Sequence, residues 1–464
     1  DSAWNGPKTV SDIEWASDSV RDAVTGAFTD DDSTKPSGND AQEWAEWIKK
    51  KTKAEYTSGT DASTKLDAGT TLDKIAKALE KATTAWRTGT DGKFSSLDAG
   101  YWLFVTASVG ETANATAGNT DTFTSPIFAV VGGSDENLTP KKQVPTVTKA
   151  VKDDTKDGTF GSFEKPNMAA DSQMDQYVDY QLIGTVAGNI NSYGTYKYIF
   201  TDKLPNSMTP KFKDGGTTPD VKVMIGDTVV ASGYNAKYED NTLTVDFPDL
   251  KKCGAEGKAA IALNGDSKVT VEYKASKLDS TKIFENGTIK TEFNGLVGKA
   301  QKNTVKLTYS NNPHTTDGTG TTVEHPAYDY TYGIDVTKVG SDDEDKGLEG
   351  VEFTLQEQGD DGNFIMANGV KTTEKEKAML KTDSQGKINV VGLNGGTNIL
   401  KGVTPAPGYN NSAANGVTFT IKHDINQTGT DVTPSTESAI TAGNDVVKDN
   451  SATASTGKLS FTIV

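Results

Sequence analysis

The chain has 464 residues, enough for about three domains, and its 34% hydrophobic content with 46 glycines suits several modest β cores better than one large one. A formal net charge of -17 argues against nucleic acid or an anionic membrane surface as partner. A single cysteine, Cys253, leaves no disulfide within the chain, and no segment approaches the roughly 20 apolar residues of a membrane span.

The helical patterns lie in residues 1–143. Asp40 is a candidate N-cap with Glu43 three residues on, a capping-box spacing, and Trp44, Trp47 and Ile48 follow at helical intervals. Leu72, Ile75, Leu79 and Ala82 form a second stripe after Thr70, another candidate cap. Both stripes read as core. Strand-like runs at 101–107 and 126–131 close the region and make it α+β.

Residues 144–326 form a series of short alternating segments separated by Gly, Asn and Asp, at 196–200, 221–225, 243–247, 269–273 and 305–309. This spacing predicts an immunoglobulin-like β-sandwich. Residues 327–464 repeat the character, so the chain as a whole is mostly β, with tandem sandwiches behind an N-terminal α+β domain. No short-period repeat points to a solenoid.

Two strand segments in the middle region carry the chemistry. Side chains alternate along a strand, so Val147, Lys149 and Val151 share one face of the first. Val305, Leu307, Tyr309 and Asn311 share one face of the second. A lysine and an asparagine are therefore both directed toward the core. A buried ammonium is costly unless paired or neutralised, and two outcomes relieve it. Lys149 can snorkel to the rim while Asn311 caps a turn, or a neutral Lys149 amine can attack the Asn311 carboxamide, release ammonia and leave an isopeptide bond.

Such aminolysis needs a deprotonated lysine, a polarised amide and an acid to shuttle protons, all favoured by burial and fixed proximity. Asp202 in Phe200-Thr201-Asp202-Lys203 and Asp179 in Val178-Asp179-Tyr180 are the candidates for that acid. Other site classes have little support. His314, His325 and His423 are scattered, the acidic runs at 30–32 and 342–345 lack a calcium-loop pattern, and Cys253 in Lys251-Lys252-Cys253-Gly254 has no partner for nucleophilic work. No metal, no cofactor and no enzyme beyond a single-turnover self-cross-link is expected.

Several segments together resemble one family. Pro140-Lys141-Lys142-Gln143-Val144-Pro145 with the strand after it, Tyr198 to Leu204, Tyr309-Ser310-Asn311-Asn312-Pro313, Ile334 to Val339 and Leu348 to Leu355 resemble, in order, motifs of the sortase-assembled backbone pilins of Gram-positive bacteria. The resemblance implies collagen-adhesin A-type and B-type sandwiches at 144–326 and 327–464. It implies Asp202 as the first choice for the acid, with Asp179 as the rival. It also implies a pilin-motif lysine, best matched by Lys141 with Lys142 as the alternative, through which a sortase joins identical subunits head to tail. Tip and base pilins and host surface ligands would be further partners, on a cell-wall-anchored pilus outside the cell. The family's tyrosine before the motif proline is Thr139 here.

In the third domain Lys338 resembles the family's reactive lysine, but Gly402 stands where its E-box glutamate would be, and the last strand stops at Val464 where an asparagine is usual. No E-box-assisted bond is expected there. With no signal peptide and no membrane span the chain reads as a processed or trimmed ectodomain, and since only ten residues precede Ser11-Asp12-Ile13-Glu14-Trp15, a segment that follows strands in the resembled pilins, the first domain is expected to lack those strands or to be incomplete. The rival reading, from another class, is a monomeric anchored adhesin that binds a matrix protein or glycan.

Overall fold

The structure, a computed structural model, describes the chain apart from residues 1–11, 29–31, 56–65, 83–85, 91, 114–116, 133–136, 139–142, 155–157, 258–259, 275–276, 426–431, 435–438 and 454–456. Three helices come first: α1 (Asp18–Gly26), α2 (Ala41–Glu55) and α3 (Thr71–Lys81). The Asp40 carboxylate accepts the Glu43 N–H at 2.9 Å and so caps α2. Trp44 and Trp47 are buried from this helix, packed edge-on to each other at 5.5 Å and against Phe28. Thr70 does not cap α3 with its side chain; the Glu55 carboxylate reaches across from α2 and accepts the Thr71 N–H instead. Helix α1 has no counterpart among the expected elements. Strands β1 (Gly100–Phe104) and β2 (Ile127–Val131) pair antiparallel beyond the helices.

The middle region folds into two packed sheets. One has the order β3 (Val147–Lys152), β5 (Asp179–Thr185), β11 (Lys268–Lys274), β7 (Val221–Ile225) and β8 (Thr228–Val229). The other runs β9 (Asn235–Glu239), β10 (Thr242–Phe247), β6 (Tyr198–Lys203), β12 (Gln301–Ser310), β14 (His325–Tyr330) and β4 (Ala169–Asp171), with β13 (Thr319–Thr321) also on β12. Their facing residues make one core, with Val147, Val151, Tyr180, Leu182, Phe200, Val271, Val305 and Leu307 among its members. Cys253 belongs to this core as well. Its setting is buried, not the polar loop that its neighbours in sequence suggest, because Sγ turns inward against Gly233.

Strand β14 crosses the expected boundary at 326/327 and serves two cores. Ala327 joins the middle core, whereas Tyr328 and Tyr330 join the next. The chain continues into β15 (Tyr332–Lys338), which lies between β18 (Lys387–Leu393) and, in parallel, β23 (Lys458–Ile463), with β22 (Val447–Thr453) outside that. The facing sheet has the order β17 (Leu380–Lys381), β16 (Glu352–Glu357), β19 (Gly396–Thr404), β20 (Val417–Ile421) and β21 (Ala439–Ala442). The molecule is mostly β, with its long helices confined to the first region.

Candidate functional site

Lys149 and Asp202 meet between the two middle sheets. Strand β3 directs Val147, Lys149 and Val151 inward, and β6 directs Phe200 and Asp202 inward from the other sheet, which is the alternation their sequences dictate. Lys149 Nζ lies 2.6 Å from Asp202 Oδ1 and 2.7 Å from Oδ2. Neither side chain has any exposed surface. Asp179 is elsewhere, half-buried at the start of β5 and opposite Lys152 and Lys274.

Two further polar groups complete the cluster, and neither was among the residues singled out from sequence. The Tyr273 hydroxyl, from β11, donates to Asp202 Oδ2 at 2.6 Å and accepts from Lys149 Nζ at 3.1 Å. Asn303, from β12, donates to the same hydroxyl through Nδ2 at 2.9 Å, while its Oδ1 is buried without a hydrogen-bond partner. Since Nζ and Nδ2 bind one oxygen, they are at most about 6 Å apart. Tyr180 stacks on Tyr273 with centroids 5.4 Å apart and planes 8° apart, and Lys149 Nζ lies 4.9 Å from the Tyr180 ring centroid. The amine is thus enclosed by two aromatic rings and a carboxyl, with the carboxamide one hydroxyl away.

Burial sets the electrostatics. Desolvation pushes the Lys149 pKa down, against the opposing pull of Asp202, and pushes the Asp202 pKa up, against Lys149 and the Tyr273 hydrogen bond. Both shifts move the pair toward a proton on the carboxyl and a neutral amine on the lysine, whose pKa falls to about 8 and so leaves part of it unprotonated near neutrality. That amine is a nucleophile.

Asn311 is not at the lysine. It follows the end of β12, eight residues past Asn303, or roughly 26 Å along an extended chain. Its Nδ2 donates to the Asp121 carbonyl at 3.2 Å, and its own carbonyl accepts the Phe123 N–H at 2.8 Å. The residue ties the first region to the middle sandwich. The expectation that Asn311 faces Lys149 is corrected to Asn303, since β12 begins at Gln301, four residues before the apolar run that suggested it, and the same alternating face starts with Asn303.

In the third domain Lys338 is buried, and desolvation lowers its pKa. Its Nζ donates to the Val339 carbonyl at 2.8 Å, and no ion pair to it is found among the described residues. A side chain at Gly402 would run into Asn411, whose Nδ2 donates to the Gly402 carbonyl at 3.0 Å. The Asn411 side chain thus occupies the space beside Gly402. Lys141 and Lys142 lie outside the described residues.

Of the acidic runs, Asp30 and Asp31 lie outside the described residues, and two of the other acids are in ion pairs. Asp32 pairs with Lys51 and Glu344 with Lys448. Asp153, Asp154 and Asp171 bring carboxylate oxygens within 4.8 Å of one another, but Asp153 accepts the Asp171 N–H, and Asp154 accepts the Gln176 and Asn394 amides. This trio stitches the middle and third domains together.

No curated protein matches the chain. Among solved structures, the chain is similar to the full-length major pilin SpaD of Corynebacterium diphtheriae, with 17% identity, 88% of this chain and 86% of that one covered, and a TM-score of 0.46. It is similar to the T6 backbone pilin of serotype M6 Streptococcus pyogenes, with 13% identity, coverage of 88% and 91%, and a TM-score of 0.47. The 35 kDa C-terminal fragment of the major pilin GBS80 of Streptococcus agalactiae shows 20% identity, coverage of 60% and 91%, and a TM-score of 0.42. A family profile, SpaA, described as a prealbumin-like fold domain, matches residues 333–436, the body of the third domain.

Proposed function

We propose that this chain is a shaft subunit of a covalently polymerised pilus, stabilised by an isopeptide bond between Lys149 and Asn303 with Asp202 as the proton-handling acid. The observation that carries the proposal is a lysine of no exposed surface, held by a buried carboxyl and sharing a tyrosine hydroxyl with an equally buried carboxamide. A core does not retain such a group for stability, because an ion pair there barely offsets its desolvation. Reaction removes the cost. The neutral Nζ attacks Cγ of Asn303, a C–N bond forms, the bond from Cγ to Nδ2 breaks, and ammonia departs.

Position supplies most of the rate, since groups held together in a water-free site act at very high effective concentration. The joined strands belong to opposite sheets, so the bond would close a loop of roughly 150 residues across the sandwich. Tension along a shaft would then pass through a covalent link where it would otherwise strip strands from a sheet. The similarity to major pilins and the SpaA profile over the third domain support the same reading.

Joining between subunits would use Lys141, or Lys142, as the amine that a sortase couples to the next subunit, with tip and base pilins and host surfaces as further partners at the cell wall. Intact mass spectrometry and peptide mapping test the internal bond. The chain should be lighter than its sequence by about 17 Da, one ammonia, and a protease digest should contain a branched peptide linking the segments around Lys149 and Asn303. An unshifted mass refutes the bond. On cells, a detergent-resistant ladder of multimers that collapses in Lys141→Ala or Lys142→Ala tests the shaft, and a single anchored band that binds matrix or glycan would instead mark the adhesin.

A further inference from the structure

We propose that Tyr273 is a catalytic residue of this condensation, carrying a proton from Asp202 to the departing nitrogen of Asn303; the proposal rests on the isopeptide reading above. Of the groups in the cluster, the Tyr273 hydroxyl alone is hydrogen-bonded to Lys149, Asp202 and Asn303 together. Among the described residues no hydrogen bond joins Asp202 to Asn303. The acid that receives the amine's proton therefore does not reach the nitrogen that must acquire one. Tyr273 spans that gap. Lys149, Asp202 and Asn303 are at most 1% exposed and Tyr273 is 3% exposed, which leaves no bulk water to serve instead.

The contacts form a closed circuit. Nζ meets Asp202 Oδ1 at 2.6 Å, Asp202 Oδ2 meets the tyrosine oxygen at 2.6 Å, and that oxygen meets Nδ2 at 2.9 Å. When the amine is neutral and Asp202 protonated, the hydrogen bond between Asp202 and Tyr273 runs from carboxyl to hydroxyl. Attack of Nζ on Cγ turns the amide nitrogen from a planar donor into a basic amine that accepts. Nζ gives one proton to Oδ1, Oδ2 gives its proton to the tyrosine oxygen, and the tyrosine gives its own to Nδ2. The bond from Cγ to Nδ2 breaks and ammonia leaves. Asp202 and Tyr273 end protonated as they began, and no oxidant, reductant or other reactant is needed.

Tyr193 provides an internal contrast. It is buried in the same core, yet its hydroxyl is bonded to none of Lys149, Asp202 and Asn303. The test follows maturation in time. Full-length chain made in a short cell-free pulse is chased, quenched in acid at intervals and weighed intact. Wild type should lose about 17 Da, Tyr193→Phe should follow within a few-fold, and Tyr273→Phe, which keeps the ring and its stack, should mature about 100-fold or more slowly, the usual worth of a positioned acid–base group.

Tyr273→Phe maturing at the wild-type rate would overturn the relay while leaving the bond intact. A wild type that never becomes lighter would refute the bond itself. If Tyr273→Phe does not fold, 3,5-difluorotyrosine placed at position 273 decides: the relay predicts a maturation rate shifted several-fold by the more acidic phenol, and an unshifted rate overturns it.

Discussion

Replacing Asn303 with Ala removes the electrophile and leaves the amine, so its consequence can be worked through. Closing a loop of roughly 150 residues is worth about 5 kcal/mol on the chain-entropy estimate. Loss of the Asn303 hydrogen bond to Tyr273 adds about 1 kcal/mol. For a domain of this size about 1 kcal/mol moves the midpoint by roughly 2–4 °C, so the middle transition should fall by roughly 12–24 °C in scanning calorimetry. Lys149→Met should fall by a similar amount, as both changes forbid the same bond. The double variant should then be little worse than either single one, the mark of two residues acting as a unit. Asn311→Ala should keep the 17 Da deficit, within about 1 Da, and the high midpoint. The assignment is refuted if Asn303→Ala still has the lighter mass, or if Asn311→Ala loses it.

Burial holds the Asp329 carboxyl well above the ordinary carboxylate range, with Ser172 donating to one oxygen and Asp171 and Asp153 adding repulsion. Its folded form keeps a proton that the unfolded form releases near 3.8, so its stabilising contribution is complete below that pH and is lost as pH rises through the folded value. Asp329→Asn should therefore be more stable than wild type near neutrality and flatten the pH dependence above about pH 4, read from urea midpoints. Burial pushes the Cys253 thiol up to about 11, so iodoacetamide at pH 8 should label it roughly a hundredfold more slowly in the native protein than in urea. Trp44→Ala should cost the first region about 3–5 kcal/mol, seen as early loss of tryptophan fluorescence and protease cleavage within residues 41–55, with the middle transition unchanged.

The β character and the middle strands were legible because their residues alternate cleanly. Lys149 on β3 and Asp202 on β6 follow directly from period-two spacing. The carboxamide did not, since Gln301, Lys302, Asn303 and Thr304 look like a polar loop until β14 pairs with them and extends β12 backward. Continuing the alternation two residues before Val305 would have reached Asn303. Tyr273 was visible as the end of an apolar strand, but which core tyrosine turns its hydroxyl onto the pair depends on how two sheets pack, and no local pattern records that. Helix α1 was missed for a similar reason: it has one buried residue, Val24, and depends on neighbouring α3 more than on a strong stripe of its own.

Strand β14 gives alternate side chains to two cores, Ala327 to one and Tyr328 and Tyr330 to the other, and a single residue separates it from β15. Nearby, Gln173 reaches the Gly369 carbonyl and the Asn394 N–H from across the junction. There is no slack tether at this joint, so flexing it would mean pulling tyrosines out of a packed interior. Repeated end to end, units joined in this way would resist bending as well as stretching, and a filament built from them would project stiffly from its base.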